Sequence, residues 1–181
     1  MGLETKPLKG GVGVEVVGLD LSRPIDESTR RELYDIWLDA AIVVFREIAN
    51  STEQHLALSH CFGELEVHPV ESIRLEGNEE IIHLSNKGDE RQPLFLFDGE
   101  PIVGRIPWHS DLIYTPTPNR GARLRMLEKP DQGGQTGWID TAAAYDGLTT
   151  QMKQRIDGLE GRFGFVSNLC EMRFGRPAHL E

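Results

Sequence analysis

The stretch Ile106-Pro107-Trp108-His109-Ser110-Asp111-Leu112-Ile113-Tyr114 sets an imidazole two positions from a carboxylate, with apolar residues on both sides. In an extended strand, side chains at i and i+2 project from one face, so His109 and Asp111 would reach the same small cation. A neutral imidazole with a carboxylate suits a borderline divalent metal. One further histidine would complete a two-histidine-one-carboxylate facial set, the arrangement non-haem iron oxygenases use, with positions left open for substrate and oxygen. Alone, His-x-Asp is a short motif that chance supplies often, and the plain alternative is a polar pair at a strand end.

The neighbours narrow the choice. Trp108-His109-Ser110-Asp111 is followed by Gly133-Gly134-Gln135-Thr136-Gly137-Trp138 and then by Ala144-Tyr145-Asp146-Gly147-Leu148. It is preceded by Phe62-Gly63-Glu64-Leu65-Glu66-Val67-His68-Pro69-Val70. That ordered set resembles the taurine/α-ketoglutarate dioxygenase (TauD/TfdA) family, which also includes phenoxyacetate-herbicide dioxygenases, from about Gly11 to about Phe165. The resemblance implies a mainly β fold with flanking helices: a double-stranded β-helix, the jelly-roll, cupin-like barrel, with the His-x-Asp pair at its mouth. It also implies an oxidoreductase, a dioxygenase dependent on Fe(II) and 2-oxoglutarate (α-ketoglutarate). Such an enzyme hydroxylates its substrate with dioxygen while 2-oxoglutarate is oxidatively decarboxylated to succinate and CO2. The expected substrate is a small anionic organic molecule such as a sulfonate, a sulfate ester or an aryloxy acid.

On that resemblance His109 and Asp111 are two metal ligands, and no catalytic residue is expected beyond the ligands. Thr136 takes the place of the threonine whose hydroxyl binds the 2-oxoglutarate carboxylate. A hydroxyl beside glycine-exposed backbone can donate to an anion, and the plain alternative is a strand threonine paired with its neighbours. His68 matches the histidine that contacts the taurine sulfonate, although a residue next to Pro69 can equally serve a turn. Asn86, Arg105 and Tyr114 are further candidates for the substrate pocket. Arg105 falls where the taurine enzymes have a different polar residue, which counts against taurine itself. The Phe97 to Ile106 segment is insertion-like and is expected to act as a lid, and Trp138 to pack near the site.

Composition sets wider bounds. The 181 residues fit one domain, 1–181, long enough for a real core, with 39% hydrophobic and 27% charged residues. A formal net charge of −10 argues against nucleic acid or an anionic membrane as the main partner. Cys61 and Cys170, the two cysteines, have no metal-binding spacing and read as reduced thiols. The start of the chain has no apolar run like a signal peptide, and Ala40 to Phe45 is too short to span a bilayer, so a cytoplasmic protein is expected.

These residues must be positioned by a series of short elements. Val12 to Val17 reads as a first strand, followed by a helix opened by Pro24 and Asp26, with Leu33, Ile36, Trp37, Ala40 and Ala41 on one face. Ile42 to Phe45 is a buried strand by its continuous apolar run. Ser51 with Gln54 fits a capping box for a helix that stops at Gly63, and places His55 and His60 at the surface or core edge. Further strands are expected at Glu80 to Ser85, Leu94 to Phe97 and Arg162 to Val166, with a turn over Asp98 to Pro101. Arg120 to Leu127 alternates Arg123 and Arg125 with Leu124 and Met126, the pattern of a half-exposed strand. Asp140 or Thr141 caps a helix over Ala142 to Leu148. Thr149 or Thr150 caps an amphipathic one marked by Leu148, Met152, Ile156 and Leu159.

In the family the distal histidine ligand, and the arginine that pairs the far carboxylate of 2-oxoglutarate, lie well beyond the Ala-Tyr-x-x-Leu helix. His179 is the last histidine here and lacks the surroundings of that ligand, while Arg173 and Arg176 match no motif. The expectation is therefore the N-terminal two-thirds of one dioxygenase domain, a barrel incomplete at its C-terminal end, binding Fe(II) weakly and turning over little. Open sheet edges favour self-association, so a homo-oligomer is among the expected forms. The competing class is a non-catalytic binding protein or an inactive fragment of the same fold. A zinc hydrolase using His109 and Asp111 is the poorest fit, for want of a His-rich motif.

Overall fold

The fold is that of a computed structural model, and the structure describes residues 2–48, 51–69, 71–84, 94–97, 100–103 and 108–164. The chain forms two compact units: Met1–Leu65 with Arg123–Leu159, and Glu66–Ala122 with Glu160–Glu181.

The first unit is built on a three-stranded sheet, in the order β1 (Glu4–Pro7), β2 (Val14–Val17), β3 (Val43–Phe45). β1 and β2 are antiparallel, with Glu4 opposite Val17 and Pro7 opposite Val14. β2 and β3 are parallel, with Val14 opposite Val43 and Val16 opposite Phe45. A parallel pair needs a crossover, and helix α1 (Glu27–Ala40) supplies it. Asp26 caps α1 as the sequence suggests: its Oδ1 accepts from the Thr29 amide at 2.8 Å and from the Ser28 hydroxyl at 2.7 Å. The first of these bonds does most to hold its carboxyl below the usual range. The helix ends one residue before Ala41, which turns left-handed at φ 61° while its amide bonds to the Trp37 carbonyl.

Helix α2 (Thr52–Ser59) opens with the expected capping box, Ser51 Oγ accepting from the Gln54 amide and Gln54 Oε1 from the Ser51 amide, each at 3.2 Å. Gln54 also donates from Nε2 to the Leu21 carbonyl at 3.0 Å, so the cap is tied to the loop after β2. The core lies where the sheet and the two helices meet: Val16, Leu21, Leu33, Leu58 and Cys61 are buried, with Ile36, Val43, Phe45 and Phe62 against them. Trp37 stands edge-on between Tyr34 and Phe62, ring centroids 5.8 and 5.6 Å away.

Helices α3 (Thr141–Asp146), capped by Asp140, and α4 (Thr150–Ile156), capped by Thr149, start where expected but end before Leu148 and Leu159, with no buried residue in either and Leu159 exposed. The half-exposed strand expected over Arg120 to Leu127 does not form. Residues 121–126 run without a strand ladder, and Arg123 and Arg125 donate instead to carbonyls of α2 and its cap.

The second unit contains two hairpins. β4 (Arg74–Leu75) pairs antiparallel with β5 (Asn78–Ile82) around Gly77, at φ 78°. The strand expected at Glu80 to Ser85 thus begins earlier, and His83 and Leu84 lie past its end. β6 (Leu94–Phe97) pairs antiparallel with β7 (Glu100–Val103), so Glu100 and Pro101, expected in a turn, belong to a strand opposite Phe97 and Leu96. Part of the expected lid is therefore hairpin. Among the described residues the strands form three separate sheets and no closed barrel. The end of the strand expected at Arg162 to Val166 lies outside the described residues, and Arg162–Gly164 carry no ladder.

Gly13 and Gly18 both have positive φ, 90° and 84°, but they differ in surroundings. A Cβ on Gly13 would lie 2.7 Å from Ile42 Cβ and 2.8 Å from the Ile42 carbonyl oxygen, whereas at Gly18 it would meet nothing. The Val14 amide bonds to that same carbonyl at 2.8 Å, so the approach cannot relax without breaking the entry to the parallel pair. Gly18→Ala is expected to cost about 1 kcal/mol from backbone strain alone, and Gly13→Ala clearly more, at least about 2 kcal/mol once the clash is added. Urea denaturation of the two variants side by side checks the order, and equal costs would contradict it.

Candidate metal centre

His109 and Asp111 meet, but not by the route their spacing suggests. Residues 108–117 form bends and turns rather than a strand. Leu112 anchors the turn: it is buried, at 8% exposed, and takes a left-handed φ of 52° that a branched residue adopts only at a cost. Its carbonyl accepts from both the Thr115 amide, at 2.9 Å, and the Thr115 hydroxyl, at 2.7 Å. The turn so fixed holds His109 Nε2 and Asp111 Oδ1 2.9 Å apart, both side chains about half exposed.

That separation is a good hydrogen bond, and it is also close to the edge between adjacent ligands, about 3.0 Å, of an octahedron with bonds of about 2.1 Å. A borderline imidazole nitrogen beside a hard carboxylate oxygen is the donor set of a first-row divalent ion. The pair therefore fits two adjacent positions on such an ion. Among the described residues no group of three or more His, Cys, Asp and Glu side chains is placed to hold a metal, so a third protein ligand is not found there.

The other candidates are distributed as follows. Tyr114 lies in the same turn, half-buried, three residues after Asp111. His68, in the same unit, is half-buried, and its carbonyl accepts from Arg74 Nε at 2.7 Å, so β4 steadies the loop that carries it. Arg74 was not apparent from the sequence, where nothing marked it apart from other surface cations. Asn86 and Arg105 lie outside the described residues. Thr136 belongs to the first unit and is exposed, as is Trp138 at 55%. Gly133 and Gly134, at φ 76° and 68°, shape the loop before it. A shallow concavity along α1, lined by Glu27, Arg31, Glu32, Asp35 and Asp39, contains none of these residues.

A cluster the sequence reading assigned elsewhere lies against α2. Arg123 Nη1 donates to the His55 carbonyl at 2.8 Å and contacts its ring Nδ1, and Arg125 Nη1 donates to the Ser51 carbonyl at 2.7 Å. Burial first, then the charges of Arg123 and Arg125, push the His55 ring down to about 4. His55 is thus a core-edge histidine, one of the two placements expected for it.

The sequence profile of the taurine catabolism dioxygenase TauD, TfdA family matches residues 4–167, and the chain belongs to that family. It is 30% identical to the (S)-phenoxypropionate/alpha-ketoglutarate-dioxygenase of Sphingobium herbicidovorans, over 86% of this chain and 51% of that protein. It is 28% identical to an alkylsulfatase of Acinetobacter baylyi, over 87% of this chain and 45% of that protein. Among solved structures, a taurine dioxygenase from Burkholderia xenovorans superimposes with a TM-score of 0.65 at 30% identity, covering 91% of this chain and 55% of that one. The chain spans about half the length of the relatives it matches.

If His109 and Asp111 share an ion, removing either should weaken divalent binding by at least about tenfold, since even outer partners of metal ligands are worth that much. Titration with Mn(II), followed by paramagnetic broadening of the His109 and Tyr114 resonances, should show saturation in the wild type. Asp111→Ala should lose it. Broadening that persists unchanged in Asp111→Ala would place the ion elsewhere.

Proposed function

We propose that the chain is the N-terminal part of a single Fe(II)- and 2-oxoglutarate-dependent dioxygenase domain, with the fold of a double-stranded β-helix, that hydroxylates a small anionic organic molecule. The observation that carries this reading is the His109–Asp111 pair, 2.9 Å apart, inside the span matched by the dioxygenase family.

In this reading His109 and Asp111 hold Fe(II). Bound there, the ion supplies the centre at which dioxygen oxidatively decarboxylates 2-oxoglutarate to succinate and CO2 while the substrate is hydroxylated. His109 contributes a nitrogen lone pair only while its ring is neutral, so acid competes with metal for it. Asp111 contributes negative charge that offsets part of the ion's charge. Thr136 donates its hydroxyl proton to a carboxylate oxygen of 2-oxoglutarate. His68 donates from its ring to the anionic end of the substrate, its backbone held by Arg74. Asn86, Arg105 and Tyr114 are the further substrate-binding residues of this reading.

The names of the relatives support an anion without choosing among anions: a phenoxypropionate, an alkyl sulfate and taurine carry a carboxylate, a sulfate and a sulfonate respectively. No described helix is long and apolar enough to cross a membrane, and a cytoplasmic enzyme is the reading we favour. A second reading, a non-catalytic fragment of the same fold, is favoured by one observation: the described residues offer two metal ligands and not three.

Anaerobic addition of Fe(II) and 2-oxoglutarate separates the two. The enzyme reading expects a visible metal-to-ligand charge-transfer band, lost in Asp111→Ala and weakened at least about fivefold in apparent 2-oxoglutarate affinity in Thr136→Ala, the equivalent of roughly 1 kcal/mol for one hydrogen bond. A chain extended by downstream coding sequence is tested in parallel. No band from either form would reject the enzyme reading and leave the fragment.

A further inference from the structure

Three arginines converge on the carbonyls of α2 and its flanks: Arg30 on His60 at 3.0 Å, Arg123 on His55 at 2.8 Å and Arg125 on Ser51 at 2.7 Å. Arg123 differs from the others because the same nitrogen also sits against the His55 ring, at Nδ1. A guanidinium has no lone pair to offer and is always a donor. The contact therefore requires Nδ1 to be the acceptor, and the ring proton to sit on Nε2.

The charged groups around this contact are few. Arg123 and Arg125 face His55 from the extended segment, Glu53 on the first turn of α2 lies near Arg125, and the Cys61 thiol lies within electrostatic reach of Arg123 and of Arg30 of α1. Among the described residues neither His55 nor Arg123 has a carboxylate partner. A proton on Nδ1 would thus set two cations together, partly buried, with nothing between them.

The segment held there leads on to Thr136. After Arg125 the chain turns through Pro130 to Gly134, where a Cβ on Gly134 would lie 2.8 Å from Pro130 Cγ. The loop is thus tightly folded rather than slack, and the arginine anchors fix where it starts.

We propose that His55 and Arg123 form a proton-controlled latch that positions the segment leading to Thr136: neutral His55 fastens it to α2, and protonated His55 releases it. The proton comes from solvent and takes the Nδ1 lone pair that Arg123 uses; no other covalent bond is made or broken, and the repulsion between the two cations then loosens the Arg123 bond to the His55 carbonyl. Burial, seconded by Arg123 and Arg125, brings the ring down to about 4, and burial first brings Arg123 down to about 10. The unfolded ring titrates near 6.5. Because the folded value is the lower one, the latch contributes fully above about pH 6.5 and is lost as pH falls toward 4. Its consequence for the co-substrate rests on Thr136 being a 2-oxoglutarate ligand; the latch itself does not.

Amide relaxation by NMR, which reports the order of each backbone N–H whether or not it is hydrogen-bonded, tests it on the intact chain. In the wild type, backbone order parameters of residues 123–127 and 134–138 are expected to fall together from roughly 0.85 to below about 0.6 between pH 6.5 and 4, while α1 keeps its own. In His55→Gln, which cannot take the proton, the two stretches should show no such step. The same step in both proteins overturns the latch. Should His55→Gln fail to fold, the ring titration of His55 in the wild type decides: a midpoint near 4 supports the latch and one near 6.5 overturns it. Affinity for 2-oxoglutarate, measured across the same range, should fall more steeply in the wild type than in His55→Gln. A wild type that shows this step but binds no 2-oxoglutarate at any pH upholds the latch and removes its consequence for the co-substrate in this chain.

Discussion

The first unit depends on two leucines. Leu33 of α1 and Leu58 of α2 are both fully buried, and they press the two helices onto the sheet through Val16 and Leu21. Truncating a leucine so enclosed costs about 2–5 kcal/mol, a large part of the stability of a small domain. Through Leu33 the crossover helix stays on the sheet, and only then can β2 and β3 pair in parallel. Through Leu58 the second helix is fixed, and its carbonyls become a surface on which a later part of the chain can be hung.

That later part is held by polar contacts. Arg123 and Arg125 turn inward to the carbonyls of α2 and its cap, while Leu124, Met126 and Leu127 turn outward at about 60% exposure. This inverts the usual assignment of faces. Burying guanidinium groups carries a desolvation penalty, which hydrogen bonds to backbone carbonyls offset in part. The outward row, with Trp138, Ile139 and Leu159 also exposed, leaves this half of the unit with more apolar surface than polar packing alone explains.

Local signals were legible where the chemistry is local. The Asp26 cap, the Ser51–Gln54 box and the Asp140 and Thr149 caps all stand where the sequence puts them, because a cap is decided by a side chain and an amide two or three residues away. The period-two pattern of Arg123 to Met126 was equally visible, but which side faces inward depended on the carbonyls of α2, about 70 residues distant in sequence. His109 and Asp111 do stand side by side, but in a turn and not in a strand. Their closeness comes from a left-handed Leu112 and the hydroxyl of Thr115, neither of which a two-residue spacing encodes. The positions of Asn86 and Arg105 fall outside the described residues, and the sequence alone speaks for them.

Cys61 has a use that none of these roles requires. Its thiol is buried, at 4% exposed, among the side chains that fasten α2, and burial raises its pKa. A sulfur both shielded and protonated reacts slowly with alkylating or disulfide reagents. With Cys170 replaced by serine, its labelling rate becomes a clock for the opening of the α1–α2 core. Each modified molecule records one excursion to an open state, and the record survives refolding.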